Sequence, residues 1–149
     1  MFETNVAIIS DASEQFAIFQ IHDGRDGCAP PLKVQVAPNG TIRLQSAVKV
    51  GPGEQCKPED HTTGNPNIRL RRDGIEYNLC VLFQFNGDGE FSTNVWLDGK
   101  LPVSGVCGIP GACQSKNFYF KHGVYSKNLF DYQMTSKGMR VKKVKVVTQ

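Results

Sequence analysis

Gln20 and His22 stand two residues apart at the end of an apolar run, Gln15 to His22, and Tyr119, Lys121 and Tyr125 recur at even spacing in Asn117 to Lys127. In an extended strand, side chains at i and i+2 share a face. One face therefore carries an amide and an imidazole, and another carries two phenols and an ammonium. An imidazole takes or gives a proton near neutrality, a phenol does so beside a positive charge, and amide and ammonium groups donate hydrogen bonds to anions. Such a set suits proton transfer on an anionic, ring-shaped ligand. On the opposite side of the second run, Phe118, Phe120 and Val124 are core-like, and His122 falls with them by alternation. The plain alternative is a solvated outer face, with the Gln and His capping a strand end and the tyrosines simply packing.

The two segments together resemble the alginate lyases of polysaccharide lyase family 7 and their jelly-roll relatives. Gln20-Ile21-His22 matches the first motif, and Tyr119-Phe120-Lys121-His122-Gly123-Val124-Tyr125-Ser126-Lys127 matches the second, in the family's order. The likeness runs from Gln15 to the C-terminus, its middle resting on strand pattern. It implies a jelly-roll β-sandwich that cleaves a uronate polymer, alginate or a relative, by β-elimination without metal or cofactor. In that scheme Gln20 helps to neutralise the C5 carboxylate, His22 is a general base, and Tyr125 is the acid and, for one uronate epimer, also the base. Tyr119, Lys121 and Lys127 would bind substrate. Lys127 stands where the family usually has Gln, and His122 where it has Ala. The family also carries an Arg-x-Glu-x-Arg strand before the first motif, whereas this chain has no arginine before Arg25. Three expectations follow: an N-terminally shortened form, a transfer of the arginine's work to Arg69 or Arg71, or a protein that binds carbohydrate without cleaving it.

Positioning these side chains requires a sheet, and the composition favours one. Fifteen glycines and eight prolines, with turn pairs at Asn39-Gly40, Asp73-Gly74, Asn86-Gly87 and Asp98-Gly99, punctuate short apolar runs, and no segment sustains a helical period. An all-β single domain over residues 1–149 is the expectation. Strands are expected at Phe2 to Ser10, Gln15 to His22, Leu32 to Val36, Thr41 to Val50, Asn67 to Arg72, Glu76 to Phe85, Glu90 to Leu97, Asn117 to Lys127 and Met139 to Val147, the last with a bulge at Lys142-Lys143. Residues 51–66 read as a long loop. Trp96 could stack on a sugar, but packing is the favoured reading.

A net charge of +3 is too mild to demand a polyanion. Its basic clusters, Arg69 to Arg72 and Lys137 to Lys145, come without a nucleic-acid-binding motif. An acidic polysaccharide is the expected partner, with neither nucleic acid nor membrane, and the protein is expected to be a monomer. Five cysteines in a chain this short point to an oxidising, extracellular setting, a signal segment having been removed. Cys107 and Cys113 bracket a turn-rich Gly-Ile-Pro-Gly-Ala loop and are expected to form a disulfide, as are Cys28 and Cys56, which leaves Cys80 over. No CxxC pair supports a metal site.

Overall fold

Alternating apolar and polar residues between glycine turns leave the backbone one economical way to satisfy its hydrogen bonds, which is antiparallel pairing. The computed structural model describes residues 1–22, 30, 32–48, 57–60, 63–64, 67–87, 90–107 and 119–143. Among them the strands are β1 (Phe2–Ile9), β2 (Phe16–His22), β3 (Leu32–Val36), β4 (Ile42–Val48), β5 (Lys57–Asp60), β6 (Thr63–Gly64), β7 (Asp73–Gly87), β8 (Glu90–Leu97), β9 (Lys100–Cys107), β10 (Tyr119–Tyr125) and β11 (Gln133–Val141). They form two antiparallel sheets, one ordered β11-β1-β7-β8-β9-β6 and the other β10-β2-β3-β4-β5. Pairing of early with late strands, β1 with β11 and β2 with β10, rolls the two ends of the chain together in the manner of a jelly roll. The all-β sandwich expected from the turn pattern is the observed fold.

The inner faces of the sheets meet in one cluster of buried side chains. β1 contributes Phe2, Val6 and Ile8; β2 contributes Phe16, Ile18, Phe19 and Ile21; β3 and β4 add Leu32, Val34, Val36, Ile42 and Leu44; β7 to β9 add Tyr77, Leu79, Val81, Val95, Leu97 and Val103. Each fully buried aliphatic or Phe side chain is worth about 1.5–3 kcal/mol. β2 differs from the others in being buried along nearly its whole length, because it lies between β10 and β3 with the core on one face and a groove on the other.

Two turns set the hairpins. Gly40 has φ +87°, and a Cβ there would meet the Leu70 carbonyl oxygen at 2.7 Å. Its N–H donates to the Ala37 carbonyl, and its own carbonyl accepts from Leu70 N at 2.9 Å. Between β8 and β9, Asp98 (φ 51°) and Gly99 (φ 77°) both take left-handed conformations, as a type I′ turn requires.

Several expected elements move. The last described strand starts at Gln133 rather than Met139, and its register against β1 slips between Glu3 and Asn5, opposite Gly138 and Met139, rather than at Lys142-Lys143. Asn67 to Arg72 makes an isolated bridge, Thr41 with Arg69, instead of a strand. β5, within the expected long loop, is an edge strand containing Pro58, a place where proline's missing N–H costs no ladder bond. Trp96 pairs with Cys80 on the outer face of the larger sheet, away from the groove described below. Cys28, Cys56 and Cys113 and the Cys107 side chain lie outside the described residues, so the two expected disulfides do too. Cys80 is a free thiol whose pKa is pushed up mainly by burial.

Candidate functional site

The outer face of the smaller sheet carries the residues singled out in the sequence. Directly opposed residues of antiparallel strands share a face, and the pairs are Tyr119 with His22, Lys121 with Gln20, Gln20 with Lys33, and Lys33 with Gln45. Strict alternation would send Ala17 to the core side with Phe19. Instead the register shifts between Ala17 and Phe19 against β3, and between His122 and Tyr125 against β10. Both shifts turn Ala17 outward, where it is flanked by Tyr125 and Gln35. The small Ala17 side chain leaves space at that point.

The result is a groove of about 810 Å³. Gln20, His22, Lys121, Tyr125 and Lys127 all line it, together with Lys33, Gln35, Gln45, Glu14, Asn128 and the Ala17 floor. Gln20 is only 7% exposed and its amide oxygen lies 2.8 Å from His22 Nε2. Because a carbonyl oxygen only accepts, Nε2 carries the proton in that bond, which orients the ring. Tyr119 stacks on the His22 ring at 5.3 Å between centroids and 15° between planes, and the Lys121 ammonium sits 6.0 Å from the Tyr119 centroid. Tyr125 lies at the other end, 62% exposed. Ala17, its partner, is five residues from His22, so about 16 Å of strand separates His22 from Tyr125, at about 3.3 Å per residue. Gln20, Lys121 and Lys33 occupy the interval.

Charge in the groove is lopsided. Among its described lining residues are the ammonium groups of Lys33, Lys121 and Lys127 and one carboxylate, Glu14, which accepts a hydrogen bond from Asn128 Nδ2 at 3.4 Å. Lys33 has its pKa lowered, first by burial and then by the like charge of Lys127. No group of three or more His, Cys, Asp and Glu side chains that could hold a metal ion occurs among the described residues. Nor is there among them a helix long and apolar enough to cross a membrane.

Arg69 and Arg71, expected to stand in for an absent arginine, do not line the groove. Arg69 is bridged to Thr41 beyond the start of β4, and Arg71 is ion-paired with Asp73 at 3.3 Å. Arg72, the last arginine of the cluster, is held at another place. Its guanidinium donates to the carbonyls of Ala12, Glu14 and Ala37 and lies 4.8 Å from the Phe16 ring centroid. It clamps the β1–β2 connection that brings Glu14 to the groove's rim. His122 faces inward as alternation implied: Nδ1–H donates to the Ile18 carbonyl at 2.9 Å, Nε2 lies 3.1 Å from Ser136 Oγ on β11, and burial pushes its pKa down against that backbone bond.

Lys33, Gln35 and Gln45 were not singled out from the sequence. Alternation in Leu32 to Val36 puts Lys33 and Gln35 on the polar side of β3, but only their register against Gln20 and Ala17 makes that side a groove floor.

No family model matches the chain, and no curated protein matches it. Among solved structures it is similar to an alginate lyase from Alteromonas sp. 272, at 16% identity and a TM-score of 0.36, over 91% of this chain and 71% of that one. It is also similar to the polysaccharide lyase family 18 protein aly-SJ02, at 16% identity and a TM-score of 0.34, again over 91% of this chain and 71% of the other.

Proposed function

We propose that the groove binds an acidic, uronate-bearing polysaccharide such as alginate and cleaves it by β-elimination. The observation that carries this reading is the joint presence, on one face, of proton-transfer groups at both ends of a groove whose middle holds amides and ammonium groups. His22 and Tyr119, stacked at 5.3 Å, leave no room for a ring between them and so act from one side. Tyr125 faces them along the groove. A uronate seated between has its carboxylate over Gln20 and Lys33, which withdraws charge and makes the C5 proton removable. His22, held by Gln20, takes that proton; the C5–H electrons become the C4=C5 double bond; the C4–O4 bond breaks, and Tyr125 gives its phenolic proton to O4.

A second reading, binding without cleavage, is favoured by the strand length between Tyr125 and His22. The two separate in one experiment. The protein is mixed with alginate, glucuronan and hyaluronan, product is followed by the absorbance of unsaturated uronate, and binding is measured by calorimetry. Absorbance growth on any of the three supports the lyase. Binding without absorbance leaves a carbohydrate-binding protein, and neither result on any polymer ends both readings.

A further inference from the structure

Of the groove's cations, Lys33 is placed differently from the other two. Lys121 and Lys127 are exposed, whereas Lys33 rises from β3 with its stem partly covered, directly between Gln20 on β2 and Gln45 on β4. Cβ atoms of opposed residues stand about 4.5–5.5 Å apart, so an ammonium and two amides converge on one small area of the groove floor. We propose that Lys33 is the carboxylate-holding residue of this groove: its ammonium and the Gln20 amide grip the uronate carboxylate of the sugar that His22 addresses.

The inference rests on the polysaccharide reading above and adds to it the residue that distinguishes acidic from neutral sugar. The geometry supplies its logic. A half-covered ammonium has lost part of its hydration, and its charge meets the like charge of Lys127. Both circumstances disfavour the cation, and one bound carboxylate relieves both. The amides on either side cannot supply charge, but they set direction: Gln20 already gives its oxygen to His22, which leaves its NH₂ as the donor for an anion. The carboxylate so held lies one strand away from His22, which is two residues along β2 on the same face. Charge withdrawal and proton abstraction thus act on adjacent atoms of one sugar, the carboxylate carbon and C5. Lys121, on the other flank of Gln20, is exposed and lies near the Tyr119 ring, a location that suits the next sugar or the chain's long-range attraction.

The test uses the full chain and two probes, a uronate oligosaccharide and its carboxyl-reduced, neutral counterpart, titrated calorimetrically into wild type, Lys33→Met, Lys33→Gln and Lys33→Arg. Wild type is expected to bind the acidic probe at least about tenfold tighter than the neutral one, which corresponds to about 1.4 kcal/mol. Lys33→Met and Lys33→Gln should lose that preference while holding the neutral probe within about twofold, and Lys33→Arg should restore most of it. If the uncharged variants keep the preference, the carboxylate is held elsewhere and the inference falls while the groove reading stands. If wild type binds neither probe, the groove reading itself fails. Two uncharged replacements of different polarity guard against a folding artefact, and should neither fold while Lys33→Arg folds without recovering the preference, the proposal is overturned as well.

Discussion

At the scale of single residues, the groove divides its labour between a fixed end and an open one. His22 is fixed, hydrogen-bonded to a buried amide and stacked on Tyr119, so its ring samples few orientations. Tyr125 is open to solvent, which suits a group that must meet a substrate oxygen and then exchange its proton with water. Replacing Tyr125 by Phe removes one phenolic oxygen and keeps the ring. On the lyase reading, product formation should fall by about 10²–10⁴-fold, the usual worth of a general acid. Binding should weaken only by the loss of one hydrogen bond, about 0.5–1.5 kcal/mol. Product absorbance and calorimetry on the same variant check the two halves separately; equal losses in both would assign Tyr125 to binding. The motif residues were legible in the sequence because alternation alone sorts Tyr119, Lys121 and Tyr125 from Phe120 and Val124. Lys33 was not, because its register with Gln20 depends on a pairing across a loop, and neither were the positions of Arg69 and Arg71, which depend on where the chain re-enters the sheets.

At the scale of elements, strands were readable where turn chemistry bounded them and unreadable where composition hid them. Leu32–Val36 and Glu90–Leu97 coincide with their apolar-polar alternation. β9, with Pro102 and Gly105, and β5, Lys-Pro-Glu-Asp, lack a strand-like composition; they exist because a neighbour offers a free edge. The last described strand, Gln133–Val141, pairs with β1 and begins before the valine pattern from which it was expected; residues 144–147 of the expected strand lie outside the described residues. Two elements carry predictions of their own. Gly40→Ala puts a methyl against the Leu70 carbonyl in a left-handed conformation, at a turn that also anchors Leu70 N. It should destabilise by about 1–3 kcal/mol, the range for local backbone strain of this kind, and a denaturant midpoint close to wild type would show that the turn relaxes. Arg72→Met strands the carbonyls of Ala12 and Glu14 that the guanidinium satisfies. A loss of about 1.5–3 kcal/mol is expected, as for a hydrogen bond to a charged group.

At the scale of the whole molecule, the two sheets are joined at one side by a histidine. His122 belongs to β10 of the smaller sheet, yet it reaches Ser136 on β11 of the larger one and the Ile18 carbonyl 104 residues away in sequence, with the Phe2 ring packed 4.9 Å from its own. Ser136 Oγ in turn lies 2.6 Å from Thr4 Oγ1, which donates to the Lys137 carbonyl. With a neutral ring, Nδ1–H donates to Ile18, Nε2 accepts the Ser136 hydroxyl proton, and the Thr4 hydroxyl has to turn from the Lys137 carbonyl to Ser136 Oγ. Protonation turns Nε2 into a donor, so the Ser136 hydroxyl must swing to Thr4, and a cation is left partly buried against Phe2. Burial is the larger effect and holds the folded pKa of His122 below its ordinary 6.5. The sign follows from linkage: as pH falls past about 6.5 the unfolded chain takes up this proton before the folded one, so stability declines with falling pH and levels off once the folded form is protonated too. One proton changes stability by at most about 1.4 kcal/mol per pH unit. Denaturant titrations between pH 5 and 8 should therefore show a steeper acid-side loss for wild type than for His122→Gln, whose amide can donate to Ile18 and cannot titrate in that range. Contributions from the rest of the chain are common to both proteins and cancel in the difference. Parallel curves would mean that the inter-sheet bridge accepts its proton without cost, by the redirected Ser136 and Thr4 hydroxyls alone.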